Sequence, residues 1–190
     1  SAGERVFRVR SETEVWPLYF RHLLAAMGGL VAGGVGRRWK VTSLGERFLE
    51  EPAPVQVWLL LATWWTQINW AIASRYYYGD GYMPAGFSRL ALKRLLERPV
   101  DEPTPFEAFA DQIIEDARMV WPTQDQERAQ STLRHIVERT LIRPLSDFGI
   151  LQNEYFMKRT LGVKFPELFA FKITRFGKSI LEAVTNQTEH

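Results

Sequence analysis

The stretches WKVTSLGERFL, residues 39–49, and FKITRFGKSIL, residues 171–181, repeat one pattern. In each, an aromatic residue, a Lys, an aliphatic residue and a Thr come first, and a Gly follows three residues after the Thr. Alternation that ends at Thr, a preferred N-cap residue, predicts a strand leading directly into a helix. The Gly lets that helix approach the strand closely. Because the pattern occurs twice in one chain, it indicates an internal repeat.

A glycine turn and a hairpin surround each copy of the strand. In the first copy, Gly28 and Gly29 end an apolar helix at 15–27, and strands at 30–31 and 39–41 flank a glycine-rich tip. We expect the helix at 15–27 to be buried nearly all round. The helix after the hairpin is expected to turn Leu44, Phe48 and Leu49 inward.

Residues 30–49 and 150–181 resemble the wing and following helix of the winged-helix superfamily, in which a helix-turn-helix precedes a β-hairpin. The resemblance implies a mainly α fold with small β-hairpins, built as two winged-helix-like units. It also implies that the helix at 125–147, directly ahead of the second hairpin, is in the position of a recognition helix. The first copy departs from the family, because one clear helix precedes its hairpin where the family has two or three.

An uncharged stretch, PAPVQVWLLLATWWTQINWAIAS at 52–74, separates the two copies. Its apolar residues crowd round most of a helical circumference, which predicts a central buried helix with both units packed around it. A membrane span is less favoured, because Trp64 and Trp65 lie in mid-segment rather than at its ends. We therefore divide the chain into a first unit at 1–51, a middle segment at 52–100 and a second unit at 101–190, sharing one core.

Two further helix starts are predicted ahead of the second hairpin. Ser88 is expected to cap a basic amphipathic helix, RLALKRLLER, that Pro99 ends. Thr104 and Pro105 are expected to begin the next helix as its N-cap and first residue. That helix should bury one stripe of residues: Phe106, Phe109, Ala110, Ile113, Ala117 and Val120. Pro144 is expected to kink or end the helix at 125–147 one turn early.

The composition excludes several kinds of chemistry. The 190 residues include no Cys, so no disulfide, thiolate zinc site or cysteine nucleophile exists, which favours a cytoplasmic protein. The sequence holds no motif for phosphate-loop binding, zinc hydrolysis or serine hydrolysis. Neither internal histidine, His22 or His135, belongs to a metal-binding or acid–base pattern. We therefore expect a non-enzymatic protein with no catalytic residues, no metal-binding residues and no cofactor.

Basic residues define a candidate surface for nucleic acid. One side of the helix at 125–147 gathers Leu133, Ile136, Val137 and Thr140, and the other side is basic. The resemblance implies that this helix would face the major groove while the hairpins follow the phosphate backbone. The predicted nucleic-acid-binding residues are Arg128, His135, Arg139, Arg143, Lys158, Arg159, Lys164, Arg37, Arg38 and Lys40. The favoured function is binding of double-stranded DNA, with an affinity that falls steeply as salt rises.

A protein-interaction or regulatory module without nucleic-acid binding is the competing hypothesis. The net charge of +2 is low for a DNA-binding domain, and residues 101–130 carry eight acidic and two basic side chains. A tyrosine-rich loop, RYYYGDGYMPAGF at 75–87, would either pack on the core or stack against a ligand. The partner would be another protein, another domain of a longer parent chain, or a second copy in a homodimer. No membrane partner is expected.

Overall fold

The computed structural model describes residues 16–34, 37–70, 84–160 and 162–188. The chain divides into two compact units, residues 1–77 and 78–190, each combining helices with one small antiparallel sheet. The boundary falls inside the predicted middle segment at 52–100. The uncharged stretch therefore belongs largely to the first unit, whereas the basic helix that follows it belongs to the second.

The first unit contains one hairpin between helices. Its described elements are α1 (Trp16–Met27), β1 (Val31–Gly34), β2 (Arg37–Val41), α2 (Ser43–Glu50) and α3 (Ala53–Thr66). Strands β1 and β2 pair antiparallel, with Val31 opposite Val41. The predicted first hairpin is confirmed.

The second unit has more helices and a longer hairpin. Its described elements are α4 (Phe87–Leu96), β3 (Thr104–Pro105), α5 (Phe106–Asp116), α6 (Gln126–Val137), a π turn (Glu138–Ile142), α7 (Arg143–Asp147), β4 (Leu151–Thr160), β5 (Val163–Ile173) and α8 (Arg175–Thr188). The strand order is β3-β5-β4, and both pairings are antiparallel. Leu151 lies opposite Ile173, which is the counterpart of the pairing between Val31 and Val41 in the first unit.

A threonine joins each hairpin to the glycine turn ahead of it. Thr42 Oγ1 donates a hydrogen bond to the carbonyl oxygen of Gly29 at 2.7 Å, and Thr174 Oγ1 donates to that of Gly149 at 3.0 Å. In both units the threonine backbone N–H also donates, at 3.0 Å, to the carbonyl of the residue after that glycine. The repeat found in the sequence is therefore a repeat of hydrogen bonds. Each threonine caps its helix, as predicted.

A glycine in the first turn of each following helix completes this junction. A Cβ atom on Gly45 would overlap the carbonyl oxygen of Leu30, and one on Gly177 would overlap that of Ile150. Both glycines are buried. The close approach predicted for the helix is confirmed, since each helix rests directly on the backbone of the turn.

Helix α3 is shorter and less buried than predicted. It ends at Thr66, so the expected continuous helix at 52–74 is wrong at residues 67–69. Trp70 folds back instead. Its Nε1 donates to the carbonyl of Trp64 at 2.8 Å, and the two rings stack at 5.4 Å. The buried residues of the helix are Leu61, Thr63, Trp64 and Trp65, whereas Val55 and Leu59 are exposed.

The flanking helices of the first unit bury less than expected. Helix α1 buries Phe20 and Leu24 but exposes Leu18, so the prediction of a helix buried nearly all round is wrong. Leu44 and Leu49 of α2 are also exposed rather than turned inward. Among the described residues, α1 packs mainly against α3 and β1, which cover only one of its sides.

A third strand takes the place of one predicted helix start. Thr104 and Pro105 pair with Phe171 and Ala170 of β5, so the predicted N-cap role of Thr104 is wrong and α5 begins at Phe106. A residue before proline favours extended backbone, which suits a strand better than a cap followed by a helix. The predicted stripe is buried from Phe106 to Ile113, but Val120 lies beyond the helix and is 73% exposed.

Two other local predictions are corrected in the second unit. The residue before α4 is Gly86, with φ of 80°, so Ser88 is not the cap. Pro144 does not end its helix, which continues to Asp147. The π turn at Glu138–Ile142 precedes it, and the N–H of Arg143 donates to the carbonyl of Glu138. This wider turn absorbs the hydrogen bond that a proline inside a helix cannot make.

The glycine contact predicts a stability difference between two neighbouring substitutions. We expect Gly177→Ala to lower the free energy of unfolding by about 2 kcal/mol, because overpacking outweighs the gain of up to about 1 kcal/mol in helix propensity. Urea unfolding followed by far-UV circular dichroism measures the change. Ser179→Ala, on the exposed face of the same helix, is the control and should stay within about 0.5 kcal/mol of the parent. Equal stability of Gly177→Ala and the parent would contradict the contact.

Candidate nucleic-acid interface

The helix at 126–147 is anchored to the second unit along one side. The predicted apolar residues Leu133, Ile136 and Val137 are all buried. Leu141 within the π turn and Leu145 beyond it are buried as well. The opposite side carries the predicted basic residues, so the amphipathic character inferred from the sequence is confirmed.

An ion-pair cluster attaches this helix to α5. Arg134 bonds Asp111 through two nitrogens, each at 2.6 Å, and its Nη1 lies 3.2 Å from Glu107. Gln130 also donates to Asp111 at 2.6 Å. The hydrogen bonds from Arg134 hold the pKa of Asp111 below its ordinary value, although partial burial opposes them. The carboxylate therefore stays ionised at neutral pH.

This cluster was not predicted from the sequence. Arg134 lies 23 residues from Asp111, and sequence spacing alone carries no signal for such a pair. On the same helix, Asp116 bonds Arg94 at 2.6 Å. Three of the four acidic side chains of α5 are thus ion-paired with arginine, Glu107 and Asp111 sharing Arg134, and Glu115 is the fourth.

The predicted helix residues differ in their surroundings. Arg128 is exposed, and no side-chain hydrogen bond or ion pair joins it to another described residue. His135 Nδ1 lies 3.8 Å from Glu138, a carboxylate that the sequence analysis overlooked. Arg139 has a buried Nε and is held by further contacts, whereas Arg143 is half-buried. Arg128 is consequently the helix cation most accessible to a ligand.

The second hairpin brings two predicted residues together. Arg159 lies directly opposite Lys164 near the tip, and both are exposed. Neither has an ion pair with any residue in the described part of the chain. Lys158, by contrast, points to the other face and bonds Glu167 at 2.7 Å. Like charges face to face on a strand pair repel each other, so Arg159 and Lys164 form a site that favours an anion.

Apolar side chains surround this basic pair. Tyr155 and Met157 alternate with Phe156 along β4, and all three are exposed. Pro166 lies opposite Met157. The strand β3 pairs with β5 only at residues 170 and 171, so among the described residues no strand pairs with the second edge of β5 at Pro166, and no N–H is required there. The outer hairpin therefore extends beyond the three-stranded part of the sheet.

The remaining predicted cations belong to the first unit. Arg37, Arg38 and Lys40 lie on β2 and are exposed, and none has an ion pair to another described residue. The predicted residues are thus divided between the units, three on β2 of the first and seven on the helix and hairpin of the second. The structure does not relate one group to the other.

The described residues hold no group of His, Asp or Glu side chains that could bind a metal ion. No helix among them is long and apolar enough to cross a membrane. The tyrosine-rich loop predicted as packing or ligand-binding lies, up to residue 83, outside the described residues.

Comparison with known protein families, with characterised proteins and with solved structures finds no match to this chain. The resemblance of the two hairpin units to winged-helix domains therefore stays a prediction from the sequence.

The pKa of Asp111 predicts a pH-dependent contribution to stability. We expect Asp111→Asn to lower the free energy of unfolding by about 1 kcal/mol at pH 7, a modest value because both partners are partly exposed. Since the pKa of Asp111 is lowered on folding, this contribution is complete above the unfolded value of about 3.9. The contribution is lost as the pH falls below this value and through the lower pKa of Asp111 in the folded protein. Urea unfolding of the parent and the variant between pH 7 and pH 3 measures the difference in their free energies of unfolding, which should narrow as the pH falls.

Glu115→Gln is the matched control, because Glu115 is exposed on the same helix and has no ion pair with a described residue. Its effect on stability should be within about 0.5 kcal/mol at every pH. A constant difference between the parent and Asp111→Asn down to pH 3 would contradict the assignment.

Proposed function

We propose that the second unit binds double-stranded DNA through the helix at 126–147 and the hairpin β4–β5. One observation carries the proposal. A helix of which one side is buried leads through a single glycine turn into a long hairpin, whose tip presents Arg159 and Lys164 without an ion pair to any described residue. Unpaired cations beside an amphipathic helix form the electrostatic footprint of a nucleic-acid-binding domain.

The order of elements supports the proposal. Three helical segments, α4, α5 and α6 with its extension, precede the hairpin, which matches the two or three helices expected ahead of a wing. Helices α5 and α6 pack against each other, as the two helices of a helix-turn-helix do. In this arrangement the exposed side of α6, with Arg128, would approach the groove while the hairpin tip contacts phosphate.

The ion pairs of α5 weaken the main electrostatic objection. An acidic helix near the DNA would repel phosphate, but Glu107 and Asp111 are paired with Arg134, and Asp116 with Arg94. At the hairpin tip the unpaired charges among the described residues are cationic, Arg159 and Lys164, whereas on α6 the exposed Arg128 lies next to the exposed Glu127. The charge available to a ligand is therefore more positive than the composition of residues 101–130 indicates.

A second candidate function is docking of another protein at the first unit. The described part of that unit exposes large apolar residues, including Leu18, Met27, Leu44 and Leu49. A groove of about 310 Å³ also runs between α2 and α3, lined by apolar residues such as Phe48 and Leu59. Clustered exposed apolar side chains are typical of interaction surfaces.

The DNA-binding proposal predicts that charge reversal at the hairpin tip weakens binding. The measurement is fluorescence anisotropy of a labelled random-sequence duplex, titrated with the chain at low and at physiological salt. We expect Arg159→Glu with Lys164→Glu to reduce the affinity at least about tenfold at low salt. We also expect the double variant to lower the slope of log affinity against log salt by about 2, because two phosphate contacts are lost.

Lys93→Glu is the control for net charge, because Lys93 is exposed on α4. This helix packs against α5 and α8 rather than against the hairpin. The control should bind within about twofold of the parent at physiological salt, where distant charges are screened. Absence of salt-dependent binding by the parent, or equal binding by the tip variant and the control, would overturn the proposal.

A further inference from the structure

In the second unit, one segment that contains Asp101, β3 and Phe109 covers the base of the hairpin. Strand β3 lies on the outer edge of β5, where Thr104 pairs with Phe171. The N–H of Asp101 donates to the carbonyl of Ile173 at 2.9 Å. The ring of Phe109 then contacts that of Phe171, edge to face, at 4.9 Å. One segment thus supplies both a strand for the edge and an aromatic side chain for the face.

The corresponding positions of the first unit are open. Trp39 and Val41 correspond to Phe171 and Ile173 in the repeated pattern. Phe171 and Ile173 have no exposed surface, whereas Trp39 is 46% and Val41 is 53% exposed. Among the described residues β2 pairs only with β1, so its second edge has no strand partner. The ring of His22 contacts that of Trp39, edge to face, at 4.2 Å. The described part of the first unit nevertheless contains no strand counterpart of the segment that covers the edge in the second.

The free edge of β2 presents the backbone groups of Val41. The N–H of Thr42 donates towards β1, to Leu30, as that of Thr174 donates towards β4. Successive residues of a regular strand direct their backbone groups to opposite edges. The peptide groups of Val41 consequently face away from β1, as the carbonyl of Ile173 faces away from β4 and accepts from Asp101. Among the described residues no strand pairs with this edge, and a register shift between Ala32 and Gly34 interrupts the alternation before Lys40.

The charge of β2 indicates what kind of strand fits. Arg37, Arg38 and Lys40 are exposed around Trp39, without ion pairs to described residues. If two copies of the chain paired through this edge about a twofold axis, these cations would face each other, and like charges opposite each other are destabilising. An acidic segment would instead meet three complementary charges.

We propose that the free edge of β2 binds an acidic, extended peptide segment of a partner protein by strand addition. The segment pairs antiparallel with residues 38–41, seats an apolar side chain against Trp39 and places carboxylates beside Arg38 and Lys40. Main-chain hydrogen bonds supply affinity in this mode, and alternate side chains supply specificity. The inference rests on the second candidate function, protein docking, and names the partner by its chemistry.

The chain itself supplies a probe of the required kind. Residues 100–112, VDEPTPFEAFADQ, contain the segment that covers the second hairpin, and they carry four acidic and no basic residues. A synthetic peptide of this sequence, labelled with fluorescein, is titrated with the full chain and followed by anisotropy. We expect saturable binding that a scrambled peptide of equal composition does not show.

Two changes test the geometry. In the peptide, N-methylation of the residue equivalent to Asp101 should abolish binding, because it removes the hydrogen that would bond the carbonyl of Val41. In the protein, Arg38→Glu with Lys40→Glu should weaken binding at least about tenfold. The control is Arg21→Glu with Arg47→Glu, which reverses two exposed charges of the first unit outside β2 and should leave binding within about twofold.

Hydrogen exchange shows whether the edge is already occupied. In the protein alone we expect the amides of Trp39 and Val41 to exchange faster than those of Phe171 and Ile173, and the peptide should slow the first two. Slow exchange of Trp39 and Val41 without peptide would overturn the proposal. Sedimentation would then show whether a second copy or another segment of the same chain covers the edge.

Failure of this proposal is distinguishable from failure of the others. No peptide binding, or binding unaffected by N-methylation, would overturn strand addition. A loss of duplex DNA binding in Arg38→Glu with Lys40→Glu, without peptide binding, would assign these cations to phosphate instead. Docking in the groove between α2 and α3 does not use the β2 edge, so the same variant would leave it intact. The hairpin-tip residues tested with DNA belong to the other unit.

Discussion

The bond from a threonine hydroxyl to the carbonyl of a glycine turn is the contact on which each unit depends. It ties the end of one helix, the hairpin and the start of the next helix to a single point, in the first unit through Thr42 and in the second through Thr174. The same hydroxyl oxygen accepts the N–H of Gly45 or Gly177 as an N-cap, which contributes about 1 kcal/mol. The buried glycine beside it cannot be replaced without a clash, because the carbonyl oxygen of the turn occupies the space that a Cβ atom would need. Helix and hairpin directions are therefore set together.

The two units share this junction and differ in what surrounds it. In the second, the hairpin is longer, and a two-residue strand and helix α5 cover its base, so Phe171 and Ile173 are fully buried. In the described part of the first, the same two positions are exposed, as Trp39 and Val41. The same residue pattern thus lies in the core of one copy and at the surface of the other. The difference arises from neighbouring elements and not from the repeated residues.

Ion pairs distinguish the cations that stabilise the fold from those that are available to a ligand. Arg134 and Lys158 have ordinary basic side chains, yet carboxylates at 2.6 and 2.7 Å neutralise them. Arg128, Arg159 and Lys164 have no such partner among the described residues. A ligand anion gains more from the second group, since binding there breaks no existing pair. The same reasoning applies to the cations on β2, where an exposed tryptophan adds apolar surface and favours a peptide over a bare phosphate.

The sequence by itself determined the elements with a local physical cause. The threonine caps, the close-packed glycines, the two hairpins, and the buried stripe from Leu133 to Val137 follow from side-chain chemistry and spacing, and the structure has them all. Tertiary structure decided the rest. Thr104 lies in a strand because it pairs with the edge of β5. The helix ends at Thr66, and Trp70 hydrogen-bonds to the carbonyl of Trp64. Arg134 pairs with Asp111, which belongs to a different helix. These outcomes depend on partners distant in the chain, which local propensity does not encode.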